Sequence, residues 1–226
     1  MFSEMFYKLW DNGLIQLGIW ETVYMTLLSS LFAYIIGLPL GVILNISDKN
    51  GIRPMPKLNR ILGFIVNFFR SIPFIILMVA MLPVAKFVVG TSLGNKAVIV
   101  MLVIAAAPYV ARMVESSLKE VDAGVIEAAQ SMGANNFEII TKVLIPEAKP
   151  SLITGAAIAI VTILGYSAMA ATIGGTGLGQ IAIIYGHQRS NPDITWFCVF
   201  LTVIIVQIIQ EIGNAIAHRS DKRINK

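Results

Sequence analysis

Asp122-Ala123-Gly124-Val125-Ile126-Glu127-Ala128-Ala129-Gln130-Ser131-Met132-Gly133, followed after nine residues by Val143-Leu144-Ile145-Pro146, forms a polar island in a chain built mostly of apolar runs. Asp122 stands where an N-cap is needed, its carboxylate free to accept from the first backbone N–H groups of a helix starting near Ala123. Helical spacing puts Val125, Ile126, Ala129 and Met132 on one side, with Glu127 and Gln130 towards the other. Gly133 follows the last periodic residue, where a left-handed stop costs least without a Cβ. Asn135 or Asn136 can cap a second helix through Val143 and Leu144, which Pro146 helps to terminate. The segment therefore predicts two short amphipathic helices held at a fixed angle by one glycine. A solvated hairpin lying on lipid headgroups would not require this full spacing.

Around this island the composition is that of a membrane protein. Of 226 residues, 56% are hydrophobic and 13% charged, against about 25% charged in ordinary soluble domains. The charges are also segregated. No Asp, Glu, Lys or Arg occurs from Thr22 to Ser47, Ser71 to Ala85, Ala97 to Ala111, Pro150 to Gln188 or Ile194 to Gln210. A helix needs about 20 mainly apolar residues to cross a hydrocarbon core. Five spans are expected, at about 22–45, 61–85, 94–114, 151–173 and 194–217. The fold class is then all-α and polytopic, with an N-terminal segment 1–21, a membrane domain 22–217 containing a loop 115–149, and a basic tail 218–226.

Residues 1–21 carry Glu4, Lys8 and Asp11 among aromatics, unlike a secretory signal, and the first apolar run has no small-residue cleavage site after it. The single cysteine, Cys198, excludes an intrachain disulfide, and no zinc-site spacing occurs. Orientation follows from Lys and Arg near the span ends. Lys49, Arg53, Lys57, Arg60, Arg112, Lys119, Lys142, Lys149, Arg219, Lys222, Arg223 and Lys226 fall on one side; Lys8, Lys86, Lys96 and Arg189 fall on the other, with Arg70 unassigned. The richer side faces the cytoplasm, so the N-terminus lies outside and the C-terminus inside. The net charge of +4 is accounted for by this rule and by anionic lipid, not by nucleic acid.

No energy source is encoded. A Gly-x-x-x-x-Gly-Lys-Ser/Thr phosphate loop is absent from the sequence, and the run Gly90 to Lys96 has the wrong spacing. No carboxylate for a proton relay is expected inside the spans, since Glu211 sits near the end of its span. Five spans cannot make the inverted repeat of secondary transporters, whereas a two-fold dimer supplies ten helices and a path on the axis. The run Gly174-Gly175-Thr176-Gly177-Leu178-Gly179 lacks the strand context and spacing of a dinucleotide site. It reads as an outer loop whose glycines let the backbone pack beneath a docked partner.

Gly37 and Gly41, and Gly155 and Ala159, are small-x-x-x-small pairs suited to close helix contact. The first pair serves packing within one subunit or across a dimer equally well; the fourth span is placed on the axis. Its run Gly165 to Thr172 is small and mildly polar, with Tyr166 and Ser167 offering hydrogen-bonding groups and Met169 a flexible apolar plug. His187 and His218 stand alone near membrane edges and read as surface residues, with no metal site.

With the island, the spans and the outer loop assembled, the chain resembles the permeases of bacterial methionine importers, in the type I ATP-binding-cassette (ABC) importer family. The resemblance covers almost the whole chain. It rests on Glu127-Ala128-Ala129 with Gly133, on Phe69 to Leu77, on Ala106 to Glu115, on Gly165 to Met169, and on Gly177-Leu178-Gly179-Gln180 with Tyr185-Gly186. Val143 stands where the commoner residue is Ile. The resemblance implies a type I importer permease fold and a homodimer bound to two ATPase subunits that carry the ATP and Mg, with no cofactor in this chain. It also implies an extracytoplasmic methionine-binding protein as partner and a multi-pass place in the cell membrane. Glu127, Ala128, Ala129, Gly133 and Pro146 are then expected to couple to the ATPase. Tyr166, Ser167 and Met169 are expected to form the gate, and Gly175, Gly177 and Gly179 to meet the binding protein.

On this basis the chain is expected to be no enzyme itself but part of an ATP-hydrolysing translocase. A permease for another small amino acid or a short peptide shares the same mechanism. An ATP-independent homo-oligomeric channel has no use for a rigid docking helix, and an intramembrane enzyme lacks any Ser/His, paired-Asp or metal constellation in the spans.

Overall fold

A computed structural model describes residues 3–221, which are helical almost throughout and contain no strand. In chain order the α-helices are α1 (Glu4–Asp11), α2 (Leu14–Ile46), α3 (Pro56–Ser71), α4 (Phe74–Ala80), α5 (Leu82–Val89), α6 (Asn95–Lys119), α7 (Ala123–Ser131), α8 (Asn136–Glu138), α9 (Ile145–Glu147), α10 (Lys149–Met169), α11 (Leu178–Gln180) and α12 (Pro192–Ser220). Two π-helical stretches, Ile139–Leu144 and Ile181–Gln188, and a 3₁₀ turn, Ala170–Ile173, complete the helical elements.

Among the described residues, four segments are long and apolar enough to cross a membrane: Leu14–Ile46, Asn95–Lys119, Lys149–Ile173 and Pro192–Ser220. The expected second span, 61–85, is not one straight helix. α3 and α4 form a pair bent by 103°, and α5 follows after Met81. The cause is local. Pro73 has no N–H to donate and disfavours helical backbone at Ile72, and Pro83 sits in the first turn of α5. α2 starts at Leu14, so residues 14–21 of the expected N-terminal segment belong to that helix. Of the expected tail, residues 222–226 lie outside the described residues.

The chain divides into two compact units. The first comprises the residues through Phe32 with Ile72–Ala106 and Ile160–Ile209. Within it, Phe6 and Leu9 of the amphipathic α1 are buried with Ile15, Leu178, Ile181, Ile194 and Cys198. The Ser3 N–H donates to Asp193 Oδ2 at 2.7 Å, pinning the start of α1 to the start of α12. The second unit comprises Ala33–Ser71, Ala107–Ala159 and the residues from Gln210. There the small residues allow helix axes to close up. A Cβ on Gly37 would lie 2.7 Å from Val110 Cβ, and one on Gly41 2.6 Å from the Ala111 carbonyl. The first glycine pair therefore seats α2 against α6 of the same chain. Gly155 is likewise buried, facing Met113 and Ser117 of α6, so this pair too serves packing within the chain.

Large apolar side chains cover much of the outside. On α12, Trp196, Phe200, Val203, Ile208 and Ile212 are all more than half exposed. Such a stripe is the ordinary surface of a helix in hydrocarbon, where every backbone group is already satisfied internally.

Candidate functional site

The polar island folds as its caps dictate. Asp122, in extended backbone, accepts at Oδ1 from the Gly124 N–H at 2.7 Å and starts α7. The helix ends in a paired hydrogen-bond stop. The Gly133 N–H donates to the Gln130 carbonyl at 2.9 Å, and the Ala134 N–H to the Ala129 carbonyl at 3.1 Å. Gly133 itself has φ +83°. This is the Schellman arrangement, which needs a left-handed residue at that position.

Asn135, not Asn136, caps the next helix. Its side chain accepts from the Glu138 N–H at 3.0 Å, while the Glu138 carboxylate accepts from the Asn135 N–H at 3.1 Å. That reciprocal box holds the Glu138 carboxyl below its usual range, first through the Asn135 N–H and then through Lys142. The helix then widens into its π-helical stretch, with the Ile145 N–H reaching back to the Ile140 carbonyl. Pro146 gives a physical reason: it brings no donor and its ring would press on the carbonyl four residues back. The chain stays helical through Pro146, and the interruption falls at Ala148 rather than at the proline.

The expected coupling residues come together on this pair of helices. Ala129 is buried, as are Ile139 and Leu144, and these anchor the loop to its own unit. Glu127, Ala128, Gly133 and Pro146 are exposed. Apolar exposure clusters at the glycine corner: Met132 is 81% exposed and Phe137 72%. Phe137 was not singled out in the sequence, although its place between an N-cap and Glu138 was visible there.

The expected gate residues differ in their settings. Met169 is half exposed at the end of α10. Gly165, one turn earlier, is exposed with nothing within 4 Å of where a Cβ would stand. Tyr166 is half-buried and stacked on Phe74 at 4.4 Å. Ser167 is turned away, since it is buried and its hydroxyl donates to the Leu164 carbonyl at 2.7 Å. It supplies no free group to a path. Thr154, Ile158, Gly165, Met169 and Thr172 share one exposed face by helical spacing, the face this chain leaves uncovered.

The glycine-rich stretch is packed inward. Gly175 and Gly177 are buried and Gly179 is half-buried. Gly177 has φ +102°, and a Cβ there would lie 2.7 Å from Thr22 Oγ1. A Cβ on Gly179 would overlap the Ala168 carbonyl. Thr22 Oγ1 accepts from the Leu178 N–H at 2.9 Å and donates to the Gly18 carbonyl at 2.8 Å. Asn95 Oδ1 accepts from both the N–H and the hydroxyl of Thr176, and its Nδ2 donates to Glu21. These glycines thus let the loop lie on α2 and α10. Thr22 and Asn95, which hold it there, could not be found from sequence because their partners are far away in the chain.

Helices long and apolar enough to cross a membrane, a capped polar loop between two of them and an exposed face on α10 are the features expected of the membrane-spanning component of a transport system. The chain belongs to the family of binding-protein-dependent transport system inner membrane components, whose profile matches residues 37–226. It is 47% identical over 213 residues to the probable D-methionine transport system permease protein MetI of Vibrio cholerae, covering 94% of this chain and 95% of that one. It is 46% identical over 204 residues to the methionine import system permease protein MetP of Bacillus subtilis, covering 90% and 92% respectively. Among solved structures it resembles a chain of the inward-facing MetNI methionine ABC transporter. The TM-score is 0.91 with 44% identity, over 97% of this chain and 100% of that one. An amino acid ABC transporter crystallised with histidines shares the fold, with a TM-score of 0.78 at 18% identity.

Proposed function

We propose that this chain is the permease subunit of an ATP-driven methionine importer in the cell inner membrane, with its N-terminus outside and its C-terminus in the cytoplasm. Two copies meet about a two-fold axis through the open face of α10, and Met169 from each closes the path, with Tyr166 beside it. The α7 loop of each copy docks on one of two separate ABC ATPase subunits, which bind ATP and Mg. An extracytoplasmic methionine-binding protein delivers the substrate.

The observation that carries this reading is identity of 44% to 47%, over 94% to 97% of this chain, to a probable D-methionine permease and to a chain of the MetNI transporter. The exposed Met132 and Phe137 beside a rigid glycine stop support the docking role. The test is uptake of labelled methionine by proteoliposomes holding the permease, an ABC ATPase that co-purifies with it and the binding protein. ATP-dependent accumulation, competed by unlabelled methionine, is expected. Flux independent of ATP would make the chain a channel, and ATP-driven uptake of another amino acid alone would reassign the substrate.

A further inference from the structure

The last turns of α6 carry a charge hub that neither the docking corner nor the gate uses. Glu115 is 5% exposed, and both oxygens of its carboxylate are held. Arg112 Nη1 donates to Oε2 at 2.5 Å, and Lys119 Nζ to Oε1 at 2.8 Å. Lys119 Nζ also lies 3.1 Å from Asp48 Oδ2, in the turn that follows α2. Arg112 Nη2 donates to the Gly63 carbonyl of α3 at 3.2 Å. Two residues beyond Glu115, Ser117 Oγ accepts from Ser151 Oγ of α10 at 3.0 Å. The end of α6 is therefore tied separately to α2, α3 and α10 within one compact unit. Two cations and two carboxylates balance in the tetrad, with one carboxylate at its centre.

The place of this hub in the chain gives it a consequence. Only Glu120, Val121 and Asp122 separate Lys119 from the first residue of α7, and Val121 is buried. A buried carboxylate with two charge-assisted partners is directional, and removing it leaves uncompensated charge. The exposed Lys142–Glu138 pair nearby has no such leverage, because a surface pair is screened and soft.

We propose that Glu115 is a positioning residue for energy coupling. It fixes the angle at which α6 hands over to α7, so that displacement of α7 by a docked ATPase moves the adjoining ends of α2, α3, α6 and α10 as one piece. The proposal rests on the docking role of α7 given above.

The test compares Glu115→Gln and Lys119→Met with the parent in two measurements. The first is hydrogen–deuterium exchange of the purified permease, which needs no substrate. Peptides covering 120–131 are expected to exchange several-fold faster in both variants, with α12 peptides unchanged. The second is methionine taken up per ATP hydrolysed by the reconstituted complex, expected to fall several-fold while basal hydrolysis persists. Both activities are measured on complex isolated at the size of the intact assembly, so that free ATPase and misfolded permease do not enter the ratio. The double variant should be no worse than the poorer single one. Unchanged exchange across 120–131 would overturn the proposal, and so would raised exchange with an unchanged ratio. A parent complex that imports no methionine refutes the function proposed above, and the exchange data still decide whether Glu115 positions α7.

Discussion

Phe74 and Tyr166 lie face to face, with ring centroids 4.4 Å apart and planes 6° from parallel. Phe74 is the first residue of α4, just after the bend at Pro73, and Tyr166 precedes Met169 by one helical turn. The bend thus delivers an aromatic shelf against the end of α10. With Cys198→Ser removing the native thiol, Met169→Cys is expected to cross-link readily between protomers in the resting complex. An offset aromatic pair contributes about 1 kcal/mol beyond its buried area. Adding Phe74→Leu, which keeps apolar bulk but removes the stack, should therefore lower the cross-link yield a few-fold. No cross-link in any nucleotide state would sink the gate assignment.

The glycine loop predicts a structural outcome. Gly177→Val places branched carbons against Thr22 at a backbone conformation that β-branched residues avoid. Basal and binding-protein-stimulated ATP hydrolysis should fall together, along with the yield of purified permease. Thr22→Val is the gentler probe: it leaves the Leu178 N–H without its partner, at about 1–3 kcal/mol. A lower melting temperature of the permease in detergent is expected. Full stability in the Thr22 variant, with loss of stimulation alone in the Gly177 variant, would return these glycines to a docking surface.

What could be read in advance and what could not divide along chain distance. Asp122, Gly133 and the Asn135 cap act on neighbours within four residues, so their roles were legible as spacing. The break at Pro73 was legible in principle, but hydropathy over 61–85 is continuous and hid a bend of 103°. The π-helical stretch at Ile139–Leu144 leaves almost no mark, since six residues are too short a run to display a period. Arg112, Glu115 and Lys119 stand at helical ion-pair spacing, yet Lys119 and Arg112 also reach Asp48 and Gly63, distant in sequence. Burial of the glycine loop likewise depends on Thr22 and Asn95. Met169 is exposed at the end of α10, while the inward turn of Ser167 comes with a hydrogen bond to the carbonyl three residues back.

Two carboxylates outside the spans predict a pH response. Lys119 holds the Asp48 carboxyl below its usual range, and the Asn135 N–H and Lys142 do the same for Glu138. A depressed carboxylate contributes stability that is present above its unfolded value and lost as pH falls through its folded one. The stability that the 48–119 clasp and the Asn135 cap contribute should therefore be fully present at neutrality, begin to fall as pH drops below the unfolded carboxylate value, and be gone once pH has passed the lower folded value. Carbon-detected carboxyl titration of the labelled permease checks this directly. Lys119→Met should raise the Asp48 midpoint and leave Glu138 alone; equal movement of both would contradict the separate causes assigned here.

Gly133 offers the cleanest separation of geometry from packing. At φ +83°, nothing lies within 4 Å of where a Cβ would stand, so a substituted side chain meets no steric obstacle and only the backbone is strained. That strain is about 1 kcal/mol for alanine, more for a β-branched residue and less for asparagine, which tolerates the left-handed region. Such a cost is too small to unfold a helical membrane protein, but relieving it means abandoning the left-handed turn. The Gly133→Gln130 and Ala134→Ala129 hydrogen bonds would then be lost and the corner bearing Met132 and Phe137 re-aimed. Gly133→Val is expected to insert and dimerise as the parent does, yet lose ATPase association or ATP-coupled uptake. Gly133→Asn should retain more activity than Gly133→Ala, although asparagine is the larger residue. A ranking by side-chain size would mean that the partner's surface, not the turn, sets the limit. If the Val, Ala and Asn variants all transport like the parent, the left-handed stop does not aim the docking helix.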